Sequence, residues 1–225
     1  MAPAVIDRSD HGAINSIGEV LASSTPLFAF EFDRVFGLVA PMSTIGINML
    51  HQAKNRLDGK TYGSILLSQE SFIANSNLPI PDPKKFFASL QNCFVRASFK
   101  CRENDSDVTK NGTHQTMILE SDLQQFFKSL FNKGNFISDP FFHFPYPSLL
   151  VTSANTSGTP VITTIEEMTS FAREKEIPMI VTTGHSGKSK GSFPIIDFST
   201  TPFNIARPGI RGQELLDIAK SLFEN

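Results

Sequence analysis

Short apolar runs, too brief to be buried helices, alternate along the chain with stretches whose apolar residues recur at helical spacing. Residues 27–32, 64–68, 93–99, 115–119, 149–152, 179–183 and 194–198 read as strands. Runs of roughly four to eight such residues between turn formers have the length and period of strands. The helices between them have identifiable ends. Ser43 or Thr44 caps one whose inward positions are Ile45, Met49, Leu50 and Ala53, and which ends near Lys54-Asn55-Arg56. A short helix starts near Ser71, and Pro83 opens another that runs through Leu90, proline being favoured at the first helical position. Ser121-x-x-Gln124 and Thr164-x-x-Glu167 are capping boxes. Amphipathic faces follow them: Leu123, Phe126, Phe127, Leu130 and Phe131 after the first, Ile165, Met168, Phe171 and Ala172 after the second. Residues 213–223 close the chain as an amphipathic helix. Strands and helices interleaved in this order give a mixed α/β fold.

At 225 residues and 40% hydrophobic, the chain suits one domain over 1–225 that buries about 70% of its unfolded surface. Residues 1–18 read as a flexible N-terminal segment. The polar stretch 100–114, KCRENDSDVTKNGTH, offers few groups to anchor it and reads as a mobile loop. A net charge of −2 does not suit a general nucleic-acid binder, whose phosphate contacts need a basic face. No apolar run approaches the roughly 20 residues of a membrane-spanning helix, and the start lacks the basic flank and apolar stretch of a signal peptide. Cys93 and Cys101 are too few for a disulfide framework or a metal cluster. The expectation is a soluble cytoplasmic protein, monomer or homodimer, without a membrane partner.

Several polar stretches could carry chemistry. Gly187-Lys188-Ser189 lies in a glycine-rich loop, but Thr182 stands where a phosphate-binding loop needs its first glycine. The five histidines show no metal-ligand spacing, so no metal ligands are assigned. No Gly-x-Ser-x-Gly elbow supports a hydrolase triad. Lys54 and Arg56 put two cations at a helix C-terminus, where the dipole favours them; a solvated basic end is the bland alternative. Thr152-Ser153-Ala154-Asn155-Thr156-Ser157-Gly158 follows an apolar strand. Polar groups at strand ends line the ligand crevice of open α/β sheets, and a plain Ser/Asn/Gly turn is the alternative. Arg207 is a third cationic point.

Taken in order, these pieces resemble the YrdC-like family, the threonylcarbamoyl-adenylate synthases of tRNA modification. The family's Asp-x-Val-Tyr-Gly-Leu strand is similar to Asp33-Arg34-Val35-Phe36-Gly37-Leu38. Its helix ending in Lys-x-Arg is similar to the one ending at Lys54 and Arg56, and its Val-Thr-Ser-Ala-Asn-x-Ser-Gly-x-Pro run matches residues 151–160 nearly letter for letter. An Ile-Asp strand and an Arg-Pro-Gly follow, as at Ile196-Asp197 and Arg207-Pro208-Gly209. The resemblance covers about residues 20–212.

It implies a twisted, open mixed sheet with helices on its faces and a concave ligand cavity for ATP, bicarbonate and L-threonine. It also implies a nucleotidyltransferase that forms a carbamoyl-adenylate and releases pyrophosphate. Lys54, Arg56, Ser153 and Asn155 would be the catalytic set. These four, with Thr152 and Arg207, would bind the nucleotide, and Mg²⁺ would be held mainly through phosphates. The chain departs from the family on the amino-acid side, where Phe32, Arg34 and Phe36 replace threonines and a tyrosine. A pocket that loses hydroxyl partners discriminates against the substrate that used them, which points to another amino acid or amine. The alternative is a non-catalytic YrdC-like module that binds nucleotide or RNA, although the charge does not favour RNA.

Overall fold

The computed structural model describes residues 2–33, 35–55, 60–133, 141–184 and 191–224. Along these residues run β1 (Ala4–Asp7), α1 (Ala13–Ala22), β2 (Phe28–Phe32), β3 (Val35–Pro41), α2 (Thr44–Lys54), β4 (Gly63–Ile65), α3 (Gln69–Asn75) and α4 (Pro83–Ser89). Then come β5 (Cys93–Ser98), β6 (Thr113–Ile118), α5 (Ser121–Lys133), β7 (Leu149–Ser153), α6 (Ile165–Glu174), β8 (Met179–Thr182), β9 (Ile195–Asp197), β10 (Asn204–Arg207) and α7 (Gly212–Phe223). The expected α/β class is what the chain adopts.

Within the span read as one domain, the chain packs as two compact units: residues 1–60, 128–137 and 149–192, and residues 61–127, 138–148 and 193–225. In the first unit the strand order is β1-β8-β2-β3-β7. β1, β8 and β2 are parallel, whereas β3 runs antiparallel to both β2 and β7. Every residue of β2 and β3 is buried, which is why they read as continuous apolar runs instead of alternating ones. Ser43 caps α2 by accepting from the Gly46 N–H at 3.2 Å. A side chain at Gly46 would collide with the Pro41 carbonyl oxygen, so glycine lets α2 pack against the end of β3. Asn55, in the left-handed region at φ 45°, stops the helix just after Lys54.

In the second unit the order is β4-β6-β5-β9-β10. β4 is parallel to β6 and β5 to β9; β5 is antiparallel to β6, and β10 to β9. Phenylalanines fill the space around these strands. Phe86, Phe198 and Phe223 meet with ring centroids 5.5 to 6.2 Å apart, the separation at which tilted and edge-on ring pairs are favourable.

Two stretches make more structure than their composition suggests. Residues 1–18 supply β1 and the start of α1, and β1 pairs in parallel with β8. A four-residue strand whose partner lies near the far end of the chain leaves too little local pattern to be seen. The stretch 100–114 does not lack anchors. Val108 and Thr109 are buried, and the backbone is tied to Asn75, Phe141 and the Tyr62 N–H by hydrogen bonds of 2.7 to 2.9 Å. Polar composition concealed these ties because main-chain groups make them.

Candidate functional site

Pairing with β3 sets Gly37 opposite Ser153 and Leu38 opposite Thr152. Beyond Ser153 the chain leaves the sheet but stays bound to β3. The Ala154 N–H donates to the Phe36 carbonyl (2.8 Å), and the Phe36 N–H donates to that of Ile162 (3.0 Å). Inside this loop Asn155 Nδ2 donates to the Thr159 carbonyl at 2.6 Å. Gly158 turns with φ 91°, a backbone that side-chain-bearing residues rarely adopt.

Lys54 enters this loop from the end of α2. Only 3% exposed, its ammonium donates to the Ser153 carbonyl (2.6 Å), the Asn155 carbonyl (2.9 Å) and Asn155 Oδ1 (2.9 Å). Ser153 Oγ donates to the same Oδ1 at 2.6 Å, and the Ser157 N–H closes the corner by donating to the Lys54 carbonyl at 2.9 Å. A buried ammonium is tolerated only when hydrogen-bonded, and three oxygens around one point meet that need. The structure therefore brings together Lys54, Ser153 and Asn155, two motifs far apart in the chain. Thr152 and Ser153 are half-buried, so the corner has a rim open to solvent.

Ser157 was not singled out within its run, and it is the corner's loose end. Its Oγ is buried and has no hydrogen-bond partner. Such a group costs about 1–3 kcal/mol and marks a place where a ligand atom could complete the bonding. The sequence signal for it was membership of the same Ser-Ala-Asn-x-Ser-Gly run. The three oxygens around Lys54 are engaged by its ammonium, and no group of three or more His, Cys, Asp or Glu gathers among the described residues. The corner thus offers no cage for a divalent ion.

The remaining expected residues fall elsewhere. Arg207 ends β10 in the second unit. Its Nε donates to the Phe193 carbonyl at 2.9 Å, and its guanidinium lies 5.8 Å from the Phe94 ring centre. Burial, and after it the like charge of Arg96, holds its pKa below the ordinary arginine value. Phe32 is 1% exposed and Phe36 fully buried. The Phe32 ring covers Gly37, with ring carbons 2.7 and 3.0 Å from where a Cβ would stand. Phe36, one residue before Gly37, projects to the other face of the sheet. The two rings do not line one wall. Arg34 and Arg56 lie outside the described residues, as does most of the glycine-rich loop, including Lys188.

Solved structures share this architecture. Sua5 of P. abyssi complexed with L-threonine superposes with a TM-score of 0.68 at 17% identity, covering 93% of this chain and 58% of that one. E. coli YciO gives 0.67 at 12% identity, covering 93% and 95%. The fold is YrdC-like. Full-length HypF in its phosphate- and nucleotide-bound form gives 0.66 at 16% identity, covering 87% of this chain and 29% of that one. No protein-family model and no curated protein sequence matches the chain. In this YrdC-like chain the Lys54 corner lies within the first unit, at the end of β7. No helix among the described residues is long and apolar enough to cross a membrane.

Proposed function

We propose that the chain forms a carbamoyl-adenylate from ATP, bicarbonate and an amine or amino acid. The amine nitrogen attacks the bicarbonate carbon, and loss of water leaves a carbamate. A carbamate oxygen then attacks the α-phosphorus of ATP, and the bond from that phosphorus to the pyrophosphate oxygen breaks. The observation that carries this reading is the buried Lys54 ammonium meeting Ser153 and Asn155 beside the unpartnered Ser157 Oγ. Exchanging one neutral acceptor of Lys54 for a phosphate oxygen gives a stronger, charge-assisted hydrogen bond.

Lys54 and Arg56 hold the triphosphate and offset the charge that grows on departing pyrophosphate. Thr152, Ser153 and Asn155 orient phosphate and carbamate oxygens, with Ser157 Oγ as a further donor. Arg207 is an anion anchor in the second unit. Magnesium arrives on the phosphates and supplies charge neutralisation there. The reading is supported by the likeness to a Sua5 structure holding L-threonine and to a HypF structure holding phosphate and nucleotide. An acceptor other than L-threonine is supported by Phe32, whose ring covers Gly37 on the Ser153 face where the family carries a threonine; Phe36 lies on the other face.

The test is pyrophosphate release by the purified chain with ATP, bicarbonate and a panel of amines and amino acids. Lys54→Ala and Asn155→Ala are each expected to lower the rate about a hundredfold or more, and Lys188→Ala much less. An essential Lys188 with a dispensable Lys54 would relocate the phosphate site. Tight ATP binding with no pyrophosphate from any amine would favour the second reading, a nucleotide-binding module without turnover. The buried Phe32 ring over Gly37 is the observation on that side.

A further inference from the structure

β1, β8 and β2 run parallel, so their carboxyl ends lie at one edge of the first unit. Asp7 stands opposite Thr182. One step beyond the Phe30–Val181 pair, Glu31 comes level with the same threonine. Residues at one level of neighbouring strands share a face, so Asp7, Thr182 and Glu31 form a polar row. Ser153 belongs to the other face, because it stands opposite Gly37, which stands opposite Phe30, the neighbour of Glu31. Thr152 shares the face of the row, since it stands opposite Leu38, which stands opposite Ala29; the Ser153 side chain does not.

Glu31 is its unusual member, at 2% exposed. Oε2 accepts from the Thr183 N–H at 2.6 Å and from the Thr183 hydroxyl at 3.3 Å, which fixes the carboxylate just past the end of β8. Oε1 is equally buried and has no partner. Asp7 already accepts from the Ser9 N–H (2.8 Å) and hydroxyl on Oδ1, with Arg8 as the positive charge beside it. No comparable cation pairs with Glu31 among the described residues. A buried carboxylate with an unfilled oxygen is expensive. Among the described residues at this edge, Thr182 and Thr183 are half-buried and Gly184 is exposed, so solvent reaches the end of β8. The carboxyl ends of parallel strands are also where open sheets bind ligands.

The occupant must bring positive charge and N–H donors. A divalent metal needs about six oxygens, and no suitable group of three carboxylate, imidazole or thiol ligands exists among the described residues. A protonated primary amine needs only a few acceptors and carries the neutralising charge itself. We propose that Glu31, flanked by Thr182 and Thr183, anchors a binding site for a protonated primary amine on the face of the first unit opposite Ser153. The site does not depend on the carbamoyl-adenylate reading.

The full chain is titrated with ethylammonium chloride and followed by calorimetry and thermal unfolding, with sodium, potassium and tetramethylammonium chlorides at equal ionic strength as controls. The expected result is a saturable heat and a rise in melting temperature with ethylammonium alone, both lost in Glu31→Gln. Equal effects of sodium or potassium, no effect of any salt, or full binding by Glu31→Gln would overturn the proposal. Should Glu31→Gln not fold, Thr183→Val removes the hydroxyl and keeps the N–H. It is expected to weaken ethylammonium binding about tenfold, and unchanged affinity would count as refutation.

Discussion

Each unit buries a polar cluster, and the two clusters end differently. In the second unit Ser64 Oγ donates to His114 Nε2 at 2.7 Å, and His114 Nδ1 donates to the Val108 carbonyl at 2.9 Å. Thr116 Oγ1 meets the Tyr146 hydroxyl at 2.8 Å. Because a carbonyl only accepts, Nδ1 carries the imidazole proton, and Ser64 and His114 then have the connectivity of a nucleophile and its base. They are nevertheless sealed. Ser64 and Thr116 are fully buried and His114 is 1% exposed, with Phe99, Phe142 and Tyr146 rings 5.0 to 6.0 Å from the imidazole. In the Lys54 corner Thr152 and Ser153 are half-buried at a rim, and the buried Ser157 hydroxyl has no partner. A completed, lidded network holds a fold together, whereas an incomplete one still has a hydrogen bond to give, which is what the proposed nucleotide site would use.

The largest expected effect that could break this contrast is at Lys54. Lys54→Ala leaves the Ser153 and Asn155 carbonyl oxygens without their buried donor, at about 1–3 kcal/mol for each acceptor left unpaired. Urea unfolding should show this loss together with abolished ATP binding. A variant with wild-type stability and wild-type nucleotide affinity would remove Lys54 from both structure and site.

Acid comes next, and it acts on the sealed cluster. Burial pushes the His114 pKa down to about 4 from the ordinary 6.5. Between those values the unfolded chain binds a proton that the folded chain refuses, so stability falls as pH drops below about 6.5 and levels off near 4, a loss of about 3 kcal/mol. Chemical unfolding at pH 7, 5.5 and 4.5 measures it, and in His114→Gln the part of the acid loss due to this group should vanish.

The legibility of the chain follows the same division. The α2 and α6 helices could be read because their caps are local, Ser43 and Thr164 each accepting a nearby backbone N–H, and α4 because Pro83 opens it. The Lys54 corner was legible as two motifs, because residue types at strand and helix ends carry the signal. Its geometry was not, since it depends on the register that sets Ser153 opposite Gly37. β1 was missed for the same reason, its pairing being with β8. The partition of Phe32 and Phe36 to opposite faces follows from strand alternation, but only once β2 and β3 are known to be strands up to their turn.

Ser64→Ala and Ser157→Ala, the same substitution made in the two clusters, give the smaller and sharper test. Ser64→Ala deprives His114 Nε2 of its donor inside a sealed core, and an unsatisfied buried acceptor costs about 1–3 kcal/mol; nucleotide affinity should not change. Ser157→Ala removes a hydroxyl that has no partner to lose, so the unliganded protein should keep its stability or gain up to about 1 kcal/mol. Its ATP affinity should fall, because the donor it deletes is the one the corner leaves unused. Opposite signs in stability with opposite outcomes in binding are what separate a structural polar cluster from a ligand-binding one. If Ser157→Ala destabilised the chain and left ATP binding intact, Ser157 would belong with Ser64, and the corner would be a sealed joint between α2 and β7.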